Sequence, residues 1–364
     1  MRLLLAQEFL ARGICVDLVL MERRGELLTD VPPGCRVISL DSPRLRSAVW
    51  HLRKYLLREK PDALLAAMWP LSALAGFALR FSGLRTRLVV SEHNDFRHMP
   101  SIKPLERAML RLFGSWLYSR VSKVVAVSSG VRESLREVAG LGADTVEVIH
   151  NPIRQSVDGS IEKGDTDLVG WWQQADLKLI AVGSLKPQKG YPTLLKALGL
   201  LRRSTDARLL VLGEGAERGA LERFAKNESV ADAVRFPGFR ASPQPYLKLA
   251  DTFVLSSRWE GLGNVITEAL LCGCRVVSTD CRSGPAELLA DGQYGKLVPV
   301  GDPRQLANAI ADSIADPHDP RPGIAWASRF TPGTAAQAYL DLLFPECASA
   351  PDPSSAPKGS SARE

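Results

Sequence analysis

Several features are scarce or missing in this sequence, and each absence excludes a class of protein. Six of the 364 residues are cysteines, at positions 15, 35, 272, 274, 281 and 347. None has the spacing of a metal site. Cys272-Gly273-Cys274 is tighter than the usual Cys-x-x-Cys pair, and no histidine lies nearby. They read as buried thiols in a reducing compartment, not as a disulfide framework. Long hydrophobic runs are also missing. The longest uncharged stretch, Ala63 to Leu79, only touches the lower edge for a bilayer span, and Pro70, Ser72 and Gly76 interrupt it. It reads as a buried strand, Ala63 to Met68, followed by a buried helix from about Leu71. The opening Met1-Arg2-Leu3-Leu4-Leu5-Ala6-Gln7-Glu8 turns polar too soon for a secretory leader. Gly213-Glu214-Gly215 lacks the third glycine of a dinucleotide fingerprint, which argues against a dehydrogenase. No nucleic-acid-binding motif is present, so nucleic acid is not an expected partner.

What is present is a globular composition, 45% hydrophobic and 24% charged, in a chain long enough for two domains. Strand-like runs alternate with helical patterns: Val16–Met21, Arg36–Leu40, Ala63–Met68, Arg87–Ser91, Lys123–Val127 and Thr145–Ile149, then Leu177–Val182, Arg208–Leu212, Val234–Phe236, Thr252–Leu255 and Arg275–Ser278. Leu194–Arg203, Gly219–Lys226 and Val265–Cys272 are helical. This alternation predicts two α/β domains with parallel sheets, which bind ligands beyond the carboxyl ends of their strands. Charge is uneven. Residues 1–151 hold 22 Lys+Arg against 15 Asp+Glu, an excess of +7, and the remainder holds 24 against 25. A basic first half suits an anionic partner or simply a soluble basic surface.

The most telling stretch is Ser257-Arg258-Trp259-Glu260-Gly261-Leu262-Gly263-Asn264-Val265-Ile266-Thr267-Glu268-Ala269. A buried strand precedes it, glycines bracket its turn, and an apolar helix follows. The free N–H groups of such a helix's first turn favour an anion. The two carboxylates, eight positions apart, resemble the E-x7-E signature of the retaining nucleotide-sugar glycosyltransferases of the GT-B type, family 4. Val182-Gly183-Ser184-Leu185-Lys186-Pro187-Gln188-Lys189-Gly190, Leu212-Gly213-Glu214-Gly215, Arg235-Phe236-Pro237-Gly238-Phe239, Thr279-Asp280 and Gly284-Pro285-Ala286-Glu287-Leu288-Leu289 resemble further blocks of that family, in the right order.

The resemblance implies a GT-B fold, two Rossmann-like parallel-sheet domains facing a cleft. The acceptor-side domain is expected over 1–151, a linker over 152–176, and the donor domain over 177–330. A final helix over 331–345 is expected to pack back on the first domain, with a disordered tail over 346–364. His150-Asn151-Pro152 resembles the interdomain hinge. One departure stands out: Met1–Arg12 already reads as the family's first helix, so the first strand of the N-terminal domain and its Gly-rich turn are missing from the pattern.

By resemblance, Lys189 contacts the donor diphosphate, Glu268 the ribose hydroxyls and Glu260 the transferred sugar, with His93 facing that sugar from across the cleft. Gly183, Ser184 and Gly190 belong to the donor turn, where Ser184 stands in place of a common arginine. Gly261, Leu262, Gly263 and Asn264 offer backbone N–H groups to diphosphate and sugar, and Gly238 and Phe239 line the base pocket. Ser128 is a weaker acceptor-cleft candidate. No metal or cofactor is implied; Asp165-Thr166-Asp167 lies in the linker, outside any metal-binding context. The implied reaction moves a sugar from a nucleoside diphosphate, UDP favoured over GDP, to a hydroxyl of a glycan or polyprenyl-diphosphate-linked acceptor, with retention. A non-catalytic remnant and an epimerase on the same fold are the alternatives. A cytoplasmic location follows, with a peripheral place on the inner face of the cytoplasmic membrane. Pro104 to Val121, with Leu105, Phe113, Trp116, Arg107, Arg111 and Arg120, reads either as an amphipathic membrane-surface helix or as a core-facing one.

Overall fold

A computed structural model describes residues 1–97, 118–154 and 159–348, together with Ala108 and Arg111. In the first half, helix α1 (Arg2–Ala11) leads to β1 (Asp17–Leu20), β2 (Arg36–Ser39), α2 (Leu45–Glu59), β3 (Ala63–Ala67), α3 (Leu71–Ser82), β4 (Arg87–Glu92), β5 (Lys123–Ala126), α4 (Ser129–Ala139) and β6 (Val146–Val148). The second half begins with α5 (Thr166–Gln173), β7 (Leu177–Val182), α6 (Tyr191–Leu201), β8 (Ala207–Leu212), α7 (Arg218–Asn227), β9 (Val234–Gly238) and α8 (Gln244–Leu249). It continues with β10 (Thr252–Leu255), α9 (Asn264–Leu271), β11 (Arg275–Thr279), α10 (Pro285–Leu288), β12 (Lys296–Val298), α11 (Pro303–Ala315), α12 (Arg321–Ala327), α13 (Pro332–Leu343) and α14 (Pro345–Ala348).

The second half is one six-stranded parallel sheet in the order β12-β11-β10-β7-β8-β9. Its central strands are apolar runs buried on both faces, as a sheet covered by helices requires. The first half holds a parallel sheet β3-β4-β5-β6 and a separate parallel pair β1-β2. Both pieces lie between the same helical layers. Val19, Ile38, Leu64 and Ala66 pack on the cluster that holds Leu52, Leu56, Ala78 and Leu79 of α2 and α3. Val16, Ala63 and Leu65 pack on the opposite cluster, formed by Leu5 and Phe9 of α1 with Ala336 and Tyr339 of α13. Yet no ladder joins the two pieces among the described residues. The discontinuity falls where the sequence pattern lacks its opening strand. β1 and β3 are only half-buried throughout, whereas β4 is buried from its second residue onward.

Several expectations need amendment. The stretch read as linker contains α5, which packs on β8 and buries Trp172 completely; its indole N–H donates to the Arg208 carbonyl at 3.2 Å. Asp165, dismissed with its Asp-x-Asp neighbours, is a structural anchor. It takes the Arg240 guanidinium at 2.6 and 2.7 Å and the Tyr246 hydroxyl at 2.5 Å, and Arg240 holds its pKa below the ordinary carboxylate value. The strand-like runs read from the sequence omit β12, which is only three residues long. The first turn after Phe344 is helical, and the remaining tail, from 349, lies outside the described residues, as does most of the 104–121 stretch. No helix among the described residues is long and apolar enough to cross a membrane.

The two halves meet at a double chain crossing. Residues 149–153 run from β6 toward the second half, and the chain returns at Phe330. There the Ile153 N–H donates to the Phe330 carbonyl at 3.1 Å, and the His150 ring stands edge-on to Phe330 at 5.3 Å. From this crossing α13 lies back across α1, β3 and β4. Its start is set locally by Thr331, whose hydroxyl accepts from the Thr334 N–H at 3.0 Å, and by Pro332 in the first turn.

Candidate active site

The cleft between the two sheets is built from strand ends. After β7, the turn Pro187–Lys189 carries Gln188 and Lys189, and Gly190 closes it with a left-handed φ of 62°. A Cβ at Gly190 would stand 2.1 Å from the Ser256 carbonyl, so only glycine lets this turn lie against the end of β10. Lys189 folds back over Gly183 and donates from Nζ to Glu260 Oε1 at 2.7 Å. The same carboxylate accepts from the Ser257 hydroxyl at 2.6 Å and from the Gln188 side-chain amide at 3.4 Å. Both members of the pair are largely buried, with side-chain exposures of 17% and 7%. A charge pair so placed is fixed in position, because burial makes any separation costly.

The loop from Gly261 to Asn264 then leads into α9. Leu262 is buried; Gly263 adopts a φ of 89° at the helix start. Asn264 accepts from the Asn151 side-chain amide at 3.2 Å, tying the helix entrance to the crossing segment. Glu268 lies about one turn into α9, half-buried, and no hydrogen bond reaches its carboxylate among the described residues. Burial raises its pKa to about 7. Hydroxyl groups of a ligand would supply the donors this carboxylate lacks.

His93, just past β4, faces this loop from the first half. A Cβ at Gly261 would fall 1.8 Å from the His93 carbonyl oxygen, so the two halves touch backbone to backbone here. The Ser128 hydroxyl donates to the Gly261 carbonyl at 2.6 Å across the same boundary. Burial, with the nearby Arg2 charge, lowers the His93 pKa to about 3, so the ring is neutral. Its Nε2 lies 3.4 Å from Arg2 Nη2 and 2.9 Å from the Ser91 hydroxyl. Arginine can only donate, so Nε2 accepts and the proton sits on Nδ1.

Some candidates lie apart. Ser184 and Phe239 are exposed, the latter at 64%. Gly238, with a φ of 98°, lies near Glu214 and the Arg218 and Arg240 guanidinium groups. Two open hollows of about 520 and 500 Å3, one lined by β12 and α11 and the other beside α12, include none of the candidate residues.

Sequence reading missed three participants. Arg2 comes from the first turn of α1; its Nε and Nη1 are shielded from solvent and unpartnered among the described residues, beside the Tyr339 ring. The amino end of α1 in turn lies close enough to Glu268 for the two charges to interact. Glu287 accepts from the Ser129 N–H at 2.9 Å and from His150 Nε2 at 2.6 Å, latching α4 of the first half to α10 of the second. Burial pushes its pKa up, but His150 and Ser129 outweigh that and hold it below the ordinary value. Glu92 is fully buried next to His93, accepting from the Ser72 hydroxyl at 2.5 Å and the Trp69 N–H at 2.9 Å. Only Glu287 lay in a quoted motif; partners distant in sequence gave no local signal for the others.

Glu92 supplies a stability prediction. Burial raises its pKa from 4.5 to about 7, against the opposing Ser72, Trp69 and Tyr118 hydrogen bonds. The native state therefore holds a proton that the unfolded chain releases. That contribution is fully present below pH 4.5 and is lost as pH rises through 7. Glu268 acts in the same direction. His93, depressed from 6.5 to about 3, acts oppositely, its contribution being present above 6.5 and lost as pH falls toward 3. Urea unfolding of Glu92→Gln at a series of pH values should show the slope within the window changed by roughly 1.4 kcal/mol per pH unit relative to the wild type. Parallel curves for the two proteins would refute the assignment.

Two α/β units with parallel sheets, a cleft at their strand ends and a helix entrance facing it make the GT-B fold. Residues 3–156 match the model of Glycosyltransferase Family 4, and residues 176–316 that of Glycosyl transferases group 1. The chain is of the GT-B glycosyltransferase class. It is 28% identical over 237 residues to N-acetylgalactosamine-N,N'-diacetylbacillosaminyl-diphospho-undecaprenol 4-alpha-N-acetylgalactosaminyltransferase of Campylobacter jejuni, covering 65% of this chain and 63% of that one. It is 31% identical over 262 residues to GDP-mannose-dependent alpha-(1-6)-phosphatidylinositol monomannoside mannosyltransferase of Mycolicibacterium smegmatis, covering 67% and 65%. The chain thus spans less than two thirds of the length of these curated relatives. Among solved structures, Anabaena HepE in complex with UDP-glucose superposes with a TM-score of 0.76 at 21% identity, covering 96% of this chain and 95% of that one.

Proposed function

We propose that this chain transfers a sugar from a nucleoside diphosphate to a hydroxyl of a glycan or lipid-linked acceptor, with retention. The observation that carries the reading is the half-buried carboxylate of Glu268, without a hydrogen bond among the described residues, at the helix entrance that also presents the Lys189–Glu260 pair. Glu268 accepts from the ribose hydroxyls. Lys189 and the N–H groups of Gly261 to Asn264 meet the diphosphate, whose charge grows as the bond to the sugar breaks. Glu260 is already held by three donors and acts as a fixed anion beside the sugar, not as a free base. Neutral His93 offers Nδ1–H to a sugar hydroxyl. Arg2 supplies the second cation that Ser184 does not. Exposed Phe239, after Gly238, is free to stack on the base, and Gly183 and Gly190 let the lysine turn approach.

The HepE structure, described with UDP-glucose, supports a UDP sugar, while the mycobacterial relative's name specifies GDP-mannose. The Campylobacter relative's name, with its diphospho-undecaprenol acceptor, supports a lipid-linked acceptor. The test is a panel of UDP and GDP sugars read by thermal stabilisation and by release of nucleoside diphosphate, with and without lipid-linked and glycan acceptors. One donor should stabilise the wild type, and Glu268→Ala should weaken its binding about tenfold or more, since hydrogen bonds to a charged group are each worth roughly 1.5–3 kcal/mol. The anomeric configuration of the product, read by NMR, tests retention. No stabilisation by any donor would sink the reading. Binding without turnover would leave a remnant, and donor conversion without acceptor an epimerase.

A further inference from the structure

The outer face of α2 and α3 carries two features that a freely solvated surface has no use for. Trp50 of α2 and Phe81 of α3 are exposed at 59% and 52% and stack on each other at 5.7 Å, with Phe77 stacked next to Phe81 at 6.5 Å. Leu45, at the start of α2, is exposed as well. The Arg53 guanidinium donates to the Phe81 carbonyl at 2.8 Å and fixes one helix against the other, so the rings are held on a rigid base.

Around the rings the charge has one sign. Arg46, Arg53 and Lys54 lie four before, three after and four after Trp50, on the same side of α2. Arg80 precedes Phe81, and Arg85 follows shortly after; Arg46, Lys54, Arg80 and Arg85 are exposed. No acidic residue occurs between Asp41 and Glu59, or between Asp62 and Glu92. The first-half charge excess is thus concentrated on two adjacent helices around an aromatic pair.

We propose that this α2–α3 face docks on the surface of an anionic phospholipid bilayer. Aromatic rings favour the boundary between headgroups and acyl chains, and juxtaposed Lys and Arg side chains favour the negative potential of anionic lipid. The face projects the Trp50 and Phe81 rings outward among basic side chains, which suits a flat anionic surface. The inference stands on the surface alone and does not depend on the donor assignment.

The test is co-sedimentation of the full chain with vesicles of phosphatidylcholine alone and of phosphatidylcholine mixed with phosphatidylglycerol. Binding is expected to the mixed vesicles only, and to weaken in high salt. The charge reversal Arg46→Glu with Lys54→Glu should lower partitioning about tenfold or more, since each basic residue near such a surface is worth about 1 kcal/mol. Trp50→Ser with Phe81→Ser should lower it as well. Both residue pairs are exposed, so the thermal midpoint should stay near that of the wild type; if the aromatic variant misfolds, the charge reversal alone decides. Equal binding to both vesicle types, unchanged binding by the charge-reversed variant, or binding to single-stranded RNA in place of vesicles would each overturn the proposal. Loss of donor binding with vesicle binding intact would instead count against the glycosyltransferase reading.

Discussion

Lys189→Met is expected to lower sugar transfer by about 10²–10³-fold, the usual loss when one fixed donor to a developing negative charge is removed. It should also destabilise the protein, because Glu260, 6% exposed, loses the partner at 2.7 Å that offsets its burial. Breaking a buried pair on one side costs about 3–5 kcal/mol in well-studied cases. Here the Ser257 and Gln188 hydrogen bonds remain, so the lower end applies. The double variant Lys189→Met with Glu260→Gln removes both charges and keeps the volume. Its stability should recover in large part while its activity does not. That divergence separates a catalytic cation from a structural one. Calorimetric or urea unfolding beside steady-state turnover measures both, and turnover within a few-fold of wild type in Lys189→Met would disprove the role.

The second large effect is at Gly261. Its backbone conformation suits alanine, but the added Cβ would stand 1.8 Å from the His93 carbonyl oxygen, far inside any real contact. The neighbour is backbone of the other half, so a rotamer change gives no relief. The two halves must move apart at the crossing near Ile153 and Phe330. A displacement of about 1 Å at reacting groups is enough to cost roughly 10²-fold in rate. Gly261→Ala should therefore lose kcat by about that factor while nucleoside diphosphate affinity changes little, because Glu268 and the lysine turn stay within one half. Solution scattering should report a larger radius of gyration. Gly190→Ala makes the contrast: its clash, 2.1 Å from Ser256, lies inside the second half, so it should impair folding of that half. Wild-type kcat in Gly261→Ala would show that close approach of the halves is not required.

How far the chain could be read without coordinates varies with the length scale of the interaction. The second half was legible because its strands are continuous apolar runs and its motifs follow one another at strand ends. Leu177–Val182 and Thr252–Leu255 have the predicted bounds. Local chemistry fixes such elements, so local sequence reports them. The short β12 and the helix α5 escaped because their stability is tertiary. Trp172 is held by the Arg208 carbonyl, and Asp165 by Arg240, 75 positions away. The gap between the β1-β2 pair and β3 has its counterpart in the sequence, where a helix pattern stands at the place the resemblance would give a strand.

The site divides the same way. The sequence determined which groups belong to the lysine turn, the Gly261–Asn264 loop and α9, since a strand end, a glycine and a helix start define them within a dozen residues. Only the tertiary structure decided that Lys189 pairs with Glu260, that Gly261 meets His93, and that Arg2, shielded and with Nη2 beside the His93 ring, joins them from the first helix. Ion pairing and backbone contact depend on distances across a cleft, and residues 71, 168 or 91 positions apart carry no mutual signal along a single chain. Charge type is written in the residue; burial, and the altered protonation of Glu92, His93 and Glu268 that follows from it, exists only once the chain has closed around them.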